Sequence, residues 1–230
     1  MKSYFIAGTD TGVGKTTITA AIAASLRKRN IDVGVMKPVA TGLAQKTGFK
    51  SQDVALLHDA AQVNDDEKTI NPVFLPLPTS PYDASKILNM KIDMSIVFER
   101  YRYLVKSHQM VLVEGIGGIM TPITRDFFVA DMIKQMNLET IVVTRSTLGT
   151  INHTVLTIEL CKKYQIPVKG LIINYFDEKG GPAERNSPST LHEVTGLPIL
   201  GIIPFVKDYQ KFEVMANVVE KNMDMNVFIS

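Results

Sequence analysis

The residues with the clearest chemical potential lie at the start of this 230-residue chain. The segment GTDTGVGKT begins at Gly8 and has the spacing G-x-x-x-x-G-K-[ST] of a phosphate-binding loop, with Gly14 as its second framing glycine. Glycines let backbone N–H groups close around phosphate oxygens, Lys15 supplies a positive charge, and the hydroxyl of Thr16 can hold Mg²⁺. These residue types at this spacing predict a site for a nucleoside triphosphate.

Two further charged residues stand at the ends of apolar runs. Lys37 ends the run 33–37, and a second ammonium at the same sheet edge as Lys15 suits an anionic group beside the γ-phosphate. Glu114 ends the run 110–114, where a P-loop protein carries a metal-binding carboxylate. Three glycines in the next four positions permit a close approach of the backbone to a ligand.

Three other polar residues have an ordinary structural role as an alternative. Asp53 begins a helical pattern, where the helix dipole stabilises a carboxylate without any ligand. Thr150 can cap the helix predicted over 151–164, although the same helix start offers free N–H groups to a carboxylate. His153 can be a surface or packing residue. The patterns leave both roles open for each residue.

Short apolar runs alternate with longer helical patterns along the chain. This alternation predicts an α/β fold, P-loop NTPase-like, with a mostly parallel central sheet and helices on both faces. The predicted strands lie near 3–8, 33–37, 110–114, 140–144, 168–173 and 199–203. The predicted helices lie over 15–29, 51–60, 94–107, 128–136, 151–164, 187–195 and 211–221. Two segments read as irregular, the proline-rich stretch 71–81 and the charged, mobile stretch 176–186.

Composition and length restrict the class of protein further. The chain has no linker, repeat or low-complexity tract, so a single domain over 1–230 is expected. A net charge of +2 gives no basic surface for nucleic acid and no acidic tail. No apolar run approaches the ~18 residues of a membrane span, and the chain starts without a signal-peptide pattern. Cys161 is the single cysteine and is expected to be a buried hydrophobe, so the cytoplasm is the expected location.

Taken together, these loops resemble the dethiobiotin synthetases of biotin synthesis. The matching segments, in chain order, are 8–16, 37–42 (KPVATG), 78–81 (PTSP), 113–118 (VEGIGG), 148–153 (LGTINH) and 201–204 (GIIP). The resemblance runs from the first strand to about Phe205. It implies an enzyme that joins 7,8-diaminopelargonate, CO2 and ATP through a carbamate and a carbamic–phosphoric anhydride. The products are dethiobiotin, ADP and phosphate.

The resemblance also implies roles for individual residues. Lys37 and Lys15 are the implied catalytic residues, and Thr16, Asp53 and Glu114 are the implied Mg²⁺ ligands. The implied ATP-binding residues are Gly12, Val13, Gly14, Lys15, Thr16, Thr17, Asp53, Glu114, Gly115, Ile116, Gly117, Asn174, Pro204, Phe205 and Val206. The implied substrate-binding residues are Thr11, Lys15, Lys37, Thr41, Gly149, Thr150 and Asn152. The implied assembly is a homodimer with the substrate at the subunit interface, without nucleic-acid or membrane partners.

Some of these assignments have competing explanations. Asn174 is expected to read the adenine edge through its amide, but an asparagine after a strand can simply form a turn. Gly12 stands at a position where the family can carry glutamate, and the glycine removes one possible acidic contact to the nucleotide or metal. Thr41 stands at a position where serine is frequent, and the threonine keeps the hydroxyl. No nucleotide contact is assigned to residues 207–230, for which the resemblance gives no residue-by-residue match.

Three other classes of protein are less consistent with the motifs. A P-loop amide ligase for a corrinoid acid would need a glutamine amidotransferase domain after Phe205, where a short tail without cysteine follows. A ParA-like ATPase switch usually has a second lysine early in the loop, whereas residues 9–11 here are Thr-Asp-Thr. A non-enzymatic nucleotide-binding module would leave Lys37 and the segment 149–153 without a purpose.

Overall fold

The computed structural model describes residues 2–229, and a parallel sheet forms its centre. In chain order the strands are β1 (Tyr4–Gly8), β2 (Val33–Met36), β3 (Val39–Thr41), β4 (Val73–Leu75), β5 (Met110–Glu114), β6 (Pro122–Thr124), β7 (Phe127–Phe128), β8 (Glu139–Arg145), β9 (Val168–Phe176) and β10 (Ile199–Pro204). The central sheet has the order β10-β9-β8-β1-β5-β2, and each neighbouring pair is parallel. β3 pairs with β4 and β6 with β7 in two small ribbons.

Helices connect these strands. In chain order they are α1 (Lys15–Lys28), α2 (Gln52–Ala61), α3 (Glu67–Ile70), α4 (Pro81–Ile87), α5 (Met94–Ser107), α6 (Val129–Met136), α7 (Thr150–Tyr164), α8 (Pro182–Thr195) and α9 (Phe212–Asn222), followed by a 3₁₀ turn at Met225–Phe228. Several begin with a side-chain cap: Ser51 accepts from an N–H of α2, and Asp93 does the same for α5.

The sheet is covered by helices on both faces because its strands are apolar on both. In β1, Tyr4 and Ile6 join a core with α1, α2 and α9, whereas Phe5 and Ala7 join a second core with α5, α6, α7 and α8. Cys161 is buried in this second core, and burial raises the pKa of its thiol to about 11, as expected for a hydrophobe rather than a nucleophile. None of the helices within 2–229 is long and apolar enough to cross a membrane.

The fold class predicted from the sequence is confirmed. Each of the six predicted strands corresponds to one strand of the central sheet, and the seven predicted helices are all present. The small elements β3, β4, β6, β7, α3 and α4 were not predicted.

Two predicted irregular segments contain regular structure. The segment 176–186 was expected to be irregular and mobile, but α8 already begins at Pro182. Proline is compatible with the first helical turn, where its missing N–H needs no partner, so the turn-forming residues there belong to a helix start. The segment 71–81 includes β4, which pairs with β3 beside Lys37 and accounts for the ordered backbone between its prolines.

Candidate active site

Glycines with left-handed backbone angles shape the phosphate loop between β1 and α1. Gly12 has φ +74° and Gly14 has φ +92°, a region that side chains rarely adopt. A Cβ atom added to Gly14 would overlap the carboxamide of Asn174. The carbonyl of Gly14 accepts the N–H of Ile18, which begins the helical bonding of α1. The loop therefore leads directly into a helix N-terminus, where free N–H groups favour anions.

Lys15 is buried at the start of α1. Its Nζ donates to the carbonyl oxygens of Asp10 and Gly117, each at 2.8 Å. Burial, reinforced by the charge of Lys37, lowers the pKa of Lys15 to about 8. The ammonium thus bridges the phosphate loop and the loop after β5, and a phosphate group would restore the charge stabilisation that burial removes.

Lys37 forms the centre of a buried charge cluster after β2. Its Nζ lies 2.5 Å from Glu114 Oε1 and 3.0 Å from Asp53 Oδ2. Burial alone would lower the pKa of Lys37, but the two carboxylates outweigh it and hold the pKa above its usual range. Asn71 fixes the backbone by donating to the Lys37 carbonyl at 2.6 Å. Lys37 is therefore a charged, positioned ammonium at the sheet edge.

Glu114 and Thr16 form a second part of the same cluster. The hydroxyl of Thr16 donates to Glu114 Oε1 at 2.7 Å, while Glu114 Oε2 is buried without a hydrogen-bond partner in the described structure. Burial raises the pKa of Glu114, and Lys37 offsets part of this rise. A buried, unbonded carboxylate oxygen is costly, and a cation beside it would remove that cost.

These oxygen donors fit Mg²⁺. Thr16 supplies a hydroxyl, Glu114 a buried carboxylate and Asp53 a half-exposed one on the first turn of α2. Within residues 2–229 no group of three or more His, Cys, Asp or Glu side chains could hold a metal ion. Mg²⁺ does not need such a group, since it is usually held by one or two carboxylates together with water and nucleotide phosphates.

An open cleft of about 1360 Å³ collects most of the predicted site residues. Those that line it are Thr11, Gly12, Gly14, Lys15, Thr16, Thr17, Lys37, Thr41, Asp53, Glu114, Ile116 and Gly117. Those outside its lining are Val13, Gly115, Gly149, Thr150, Asn152, Asn174, Pro204, Phe205 and Val206. The cleft thus lies at the carboxyl ends of β1, β2 and β5, where a parallel sheet binds its ligands.

The start of α7 differs in detail from its prediction. Thr150 was a candidate helix cap, but Gly149 with φ +94° is the cap residue, so that reading is wrong. Thr150 lies one position inside the helix, and its buried hydroxyl meets the Thr144 hydroxyl at 2.7 Å. Asn152 is exposed, and His153 reaches the edge of the cleft.

Of the residues expected near the base, Asn174 contacts the phosphate loop. Asn174 is buried, and its Nδ2 donates to the Val13 carbonyl at 3.0 Å. Phe205 is exposed, with its ring centre 6.1 Å from that of Tyr175. Asn174 therefore supports the phosphate loop, and its contact with adenine stays a prediction.

Sequence reasoning missed two residues at this site. Tyr175 lines the cleft with a left-handed φ of +56°, and Arg145 contacts the phosphate loop from the end of β8. Both stand at the carboxyl end of a central strand, Arg145 on β8 next to β1 and Tyr175 on β9 one strand further, and this position at the ligand-binding edge is the signal that could have identified them.

The fold and the site define a P-loop nucleotide-binding protein. The glycine-rich loop lies between the first strand and a helix, and it carries a buried lysine and a hydroxyl beside a strand-end carboxylate. A family model described as an AAA domain matches residues 2–212. The chain is 52% identical to the ATP-dependent dethiobiotin synthetase of Nitrosopumilus maritimus (strain SCM1) over 98% of both chains. It is 42% identical to that of Thermodesulfovibrio yellowstonii, over 99% of this chain and 98% of the relative. The chain belongs to the dethiobiotin synthetase family, so the resemblance and the expectation of an enzyme are confirmed.

Solved structures with the same fold have other names. A ParA family ATPase from Chlorobium tepidum TLS matches with a TM-score of 0.57 and 17% identity, over 96% of this chain and 93% of that one. The cell division protein MinD of Aquifex aeolicus matches with a TM-score of 0.57 and 18% identity, over 95% and 89%. At such identities the likeness shows the fold alone.

Proposed function

We propose that the protein is an ATP- and Mg²⁺-dependent ligase that converts 7,8-diaminopelargonate and CO2 into dethiobiotin, with release of ADP and phosphate. The observation that carries this proposal is the pair of buried lysines in one cleft. Lys15 stands in the phosphate loop, and Lys37 faces it from the loop after β2. One ammonium suits the nucleotide phosphates, and the second suits an additional anion beside them, which a carbamate provides.

The proposed reaction begins with attack of one substrate amine on CO2. The amine loses a proton and becomes a carbamate, whose negative charge Lys37 and Lys15 stabilise. The hydroxyls of Thr11 and Thr41, both in the cleft lining, are proposed to hold this end of the substrate by hydrogen bonds. Their role is to orient the carbamate oxygen toward the γ-phosphorus.

The carbamate oxygen then attacks the γ-phosphorus, ADP leaves, and a carbamic–phosphoric anhydride forms. Bound at Thr16, Asp53 and Glu114, Mg²⁺ would neutralise charge on the phosphates during this transfer. Lys15 stabilises the negative charge that develops on ADP, and Lys37 stabilises the anhydride. The second amine attacks the carbonyl carbon, the bond from this carbon to the phosphate oxygen breaks, and the attacking nitrogen loses a proton to solvent, so that phosphate is released and the cyclic urea closes.

The proposal extends to the surroundings of the site. Asn174 and the segment 204–206 would contact adenine, and the start of α7 at Gly149 would receive the substrate carboxylate from the second chain of a homodimer. We further propose one domain over 1–230, a cytoplasmic location, and no nucleic-acid or membrane partner. The exposed apolar residues at the α7 start support the dimer, because such residues favour contact with another protein.

The decisive assay combines the protein with ATP, Mg²⁺, 7,8-diaminopelargonate and labelled bicarbonate. We expect ADP to be released only when the diamine is present, and we expect the label to enter a cyclic urea. Chromatography measures both products. A control without the diamine should release little ADP. Equal ATP hydrolysis with and without the diamine, and no labelled urea, would refute the proposal and favour a ParA-like switch.

A further inference from the structure

Two neighbouring carbonyl groups of the phosphate loop are held by side chains from other strands. Arg145, the last residue of β8, donates to the Gly12 carbonyl from Nε at 3.0 Å and also from Nη2. Asn174 of β9 donates to the Val13 carbonyl at 3.0 Å. Arg145 does not line the cleft, so its contact is with the outer side of the loop.

These bonds fix the direction of the loop's N–H groups. In a trans peptide the C=O of one residue and the N–H of the next point in opposite directions. When the carbonyls of Gly12 and Val13 are held toward β8 and β9, the N–H groups of Val13 and Gly14 face the opposite side. Donors that are already oriented bind a phosphate with a smaller loss of conformational freedom.

Arg145 is well suited to this task. Its guanidinium is planar and supplies two donors to one oxygen, and it lies 5.4 Å from the ring centre of Tyr175. The carbonyl of Tyr175 accepts the hydroxyl of Ser146 at 3.0 Å, which ties the end of β9 to the segment after Arg145. The guanidinium is thus held in place from a second direction.

Gly12 leaves the space that Arg145 uses. A Cβ atom at Gly12 would lie 3.0 Å from Arg145 Nη2, and the φ of +74° already disfavours a side chain there. The absence of a side chain at Gly12 therefore leaves room for the guanidinium of Arg145.

We propose that Arg145 is a positioning residue that holds the phosphate loop in its nucleotide-binding conformation by fixing the Gly12 carbonyl. The inference rests on nucleotide binding alone and does not require that the second substrate is diaminopelargonate. The loop's N–H groups surround the α- and β-phosphates, which ADP and ATP share. Loss of Arg145 should therefore weaken the binding of ADP and the binding of ATP by the same factor.

The test compares Arg145→Gln and Arg145→Lys with Arg102→Gln, which changes an exposed arginine on α5. Calorimetry would measure the affinity of each for Mg·ADP and for a non-hydrolysable ATP analogue. We expect both ligands to bind about tenfold more weakly to Arg145→Gln, an intermediate loss for Arg145→Lys, and no change for Arg102→Gln. The thermal midpoint without nucleotide should stay within about 2 °C, since Arg145 is exposed.

Two further measurements separate positioning from direct contact. Amide hydrogen exchange at residues 13 and 14 should become faster in Arg145→Gln without nucleotide, and kcat at saturating ATP should stay within about threefold of wild type while KM for ATP rises. Unchanged affinity for ADP, or unchanged exchange at these amides, would overturn the inference. If nucleotide affinity falls as expected but no cyclic urea ever forms, the inference stands and only the proposed substrate is wrong.

Discussion

Lys37 is paired with the two carboxylates that the proposed reaction needs for its metal ion. Its ammonium bonds Glu114 and Asp53, and Glu114 also accepts the hydroxyl of Thr16. The ammonium bonds Glu114 Oε1 and Asp53 Oδ2, whereas Glu114 Oε2 has no hydrogen-bond partner among residues 2–229 and is open to a metal ion. In the proposed reaction Lys37 stabilises the carbamate with the charge that these two carboxylates maintain. Removing its charge should affect the chemical step more than nucleotide binding.

The variant Lys37→Gln tests this separation. We expect turnover to fall at least about 100-fold, as when one donor to a developing anion is removed, while nucleotide affinity stays within about threefold. Steady-state rates and calorimetry with an ATP analogue measure the two quantities. Lys46→Gln, at an exposed lysine after β3, is the control that should change neither. A Lys37→Gln rate close to wild type would show that the assigned role is wrong.

Lys15 differs from Lys37 because its partners are backbone carbonyls of two ligand-binding loops. Its bonds to Asp10 and Gly117 place the ammonium between the phosphate loop and the loop after β5. We expect Lys15→Gln to weaken ATP binding at least tenfold and to lower turnover as well, since this charge serves both phosphate and carbamate. Calorimetry and rate measurements on the same preparation check both effects. Normal nucleotide affinity in this variant would contradict the assignment.

At the scale of elements, α9 is joined to α1 by a charged contact. Glu220 accepts bonds from Arg29 at 2.8 and 2.5 Å and from the Ser25 hydroxyl at 2.5 Å. The hydrogen bond from Arg29, opposed by slight burial and aided by Ser25, lowers the pKa of Glu220 to about 2. A carboxyl with a lowered folded-state pKa stabilises the fold above its unfolded value, and this stability is lost as pH falls toward 2.

Glu220→Gln should therefore lower the free energy of unfolding at pH 7 and should flatten its dependence on pH under acid conditions. We expect a loss of about 1 kcal/mol at pH 7, because the pair is partly exposed and screened by solvent, and no difference from wild type near pH 2. Urea unfolding of both proteins between pH 2 and pH 7 measures this difference in the free energy of unfolding. Glu213→Gln is the control on the same helix as Glu220. It removes a 69% exposed carboxylate that lies 3.4 Å from Lys28 of α1, and it should have almost no effect. A constant difference at all pH values would refute the explanation.

The elements of the central sheet could be predicted because each is a buried apolar run between helical patterns. β3 and β4 could not be predicted, since three-residue strands have too few positions to show a hydrophobic period. They form strands because they pair with each other in the folded chain. The start of α8 was missed because Pro182 and its charged neighbours resemble a loop until the helix is seen to begin there. Local patterns therefore predicted the core elements and missed those that tertiary pairing creates.

The same distinction applies to the site. The spacing of the loop 8–16 indicates its role directly, and Lys37 and Glu114 are visible as charges at strand ends. By contrast, the contact between Arg145 and Gly12 joins residues 133 positions apart, and no local pattern indicates it. The cap at Gly149 was also missed, since threonine is the commoner cap and a glycine with positive φ is not distinguishable in sequence.

For the whole molecule, sheet order brings the charged loops together. β1 lies between β5 and β8, so the phosphate loop has the Glu114 loop on one side and Arg145 on the other. β2 follows β5 and adds Lys37. The cleft at this edge extends to His153 and Leu156 on α7, so α7 connects the nucleotide end of the site to the outer surface.

That surface carries apolar residues with no cover in the single chain. Leu148 is 87% exposed just before α7, and Leu156 is 56% exposed on it. Apolar side chains clustered beside a ligand cleft are typical of a protein interface, which supports the proposed homodimer. If the second chain completes the substrate site, separating the chains should abolish turnover but leave the phosphate loop intact.

We therefore expect Leu148→Glu to shift the protein from dimer to monomer, because a carboxylate buried at the centre of an apolar contact lacks a partner. Sedimentation should show the mass halved, turnover should fall at least tenfold, and affinity for an ATP analogue should stay within about threefold. Val105→Glu, at a 42% exposed apolar position on α5, is the matched control and should remain a fully active dimer. A wild-type protein that is monomeric at assay concentrations and still forms the cyclic urea would show that the site is complete within one chain.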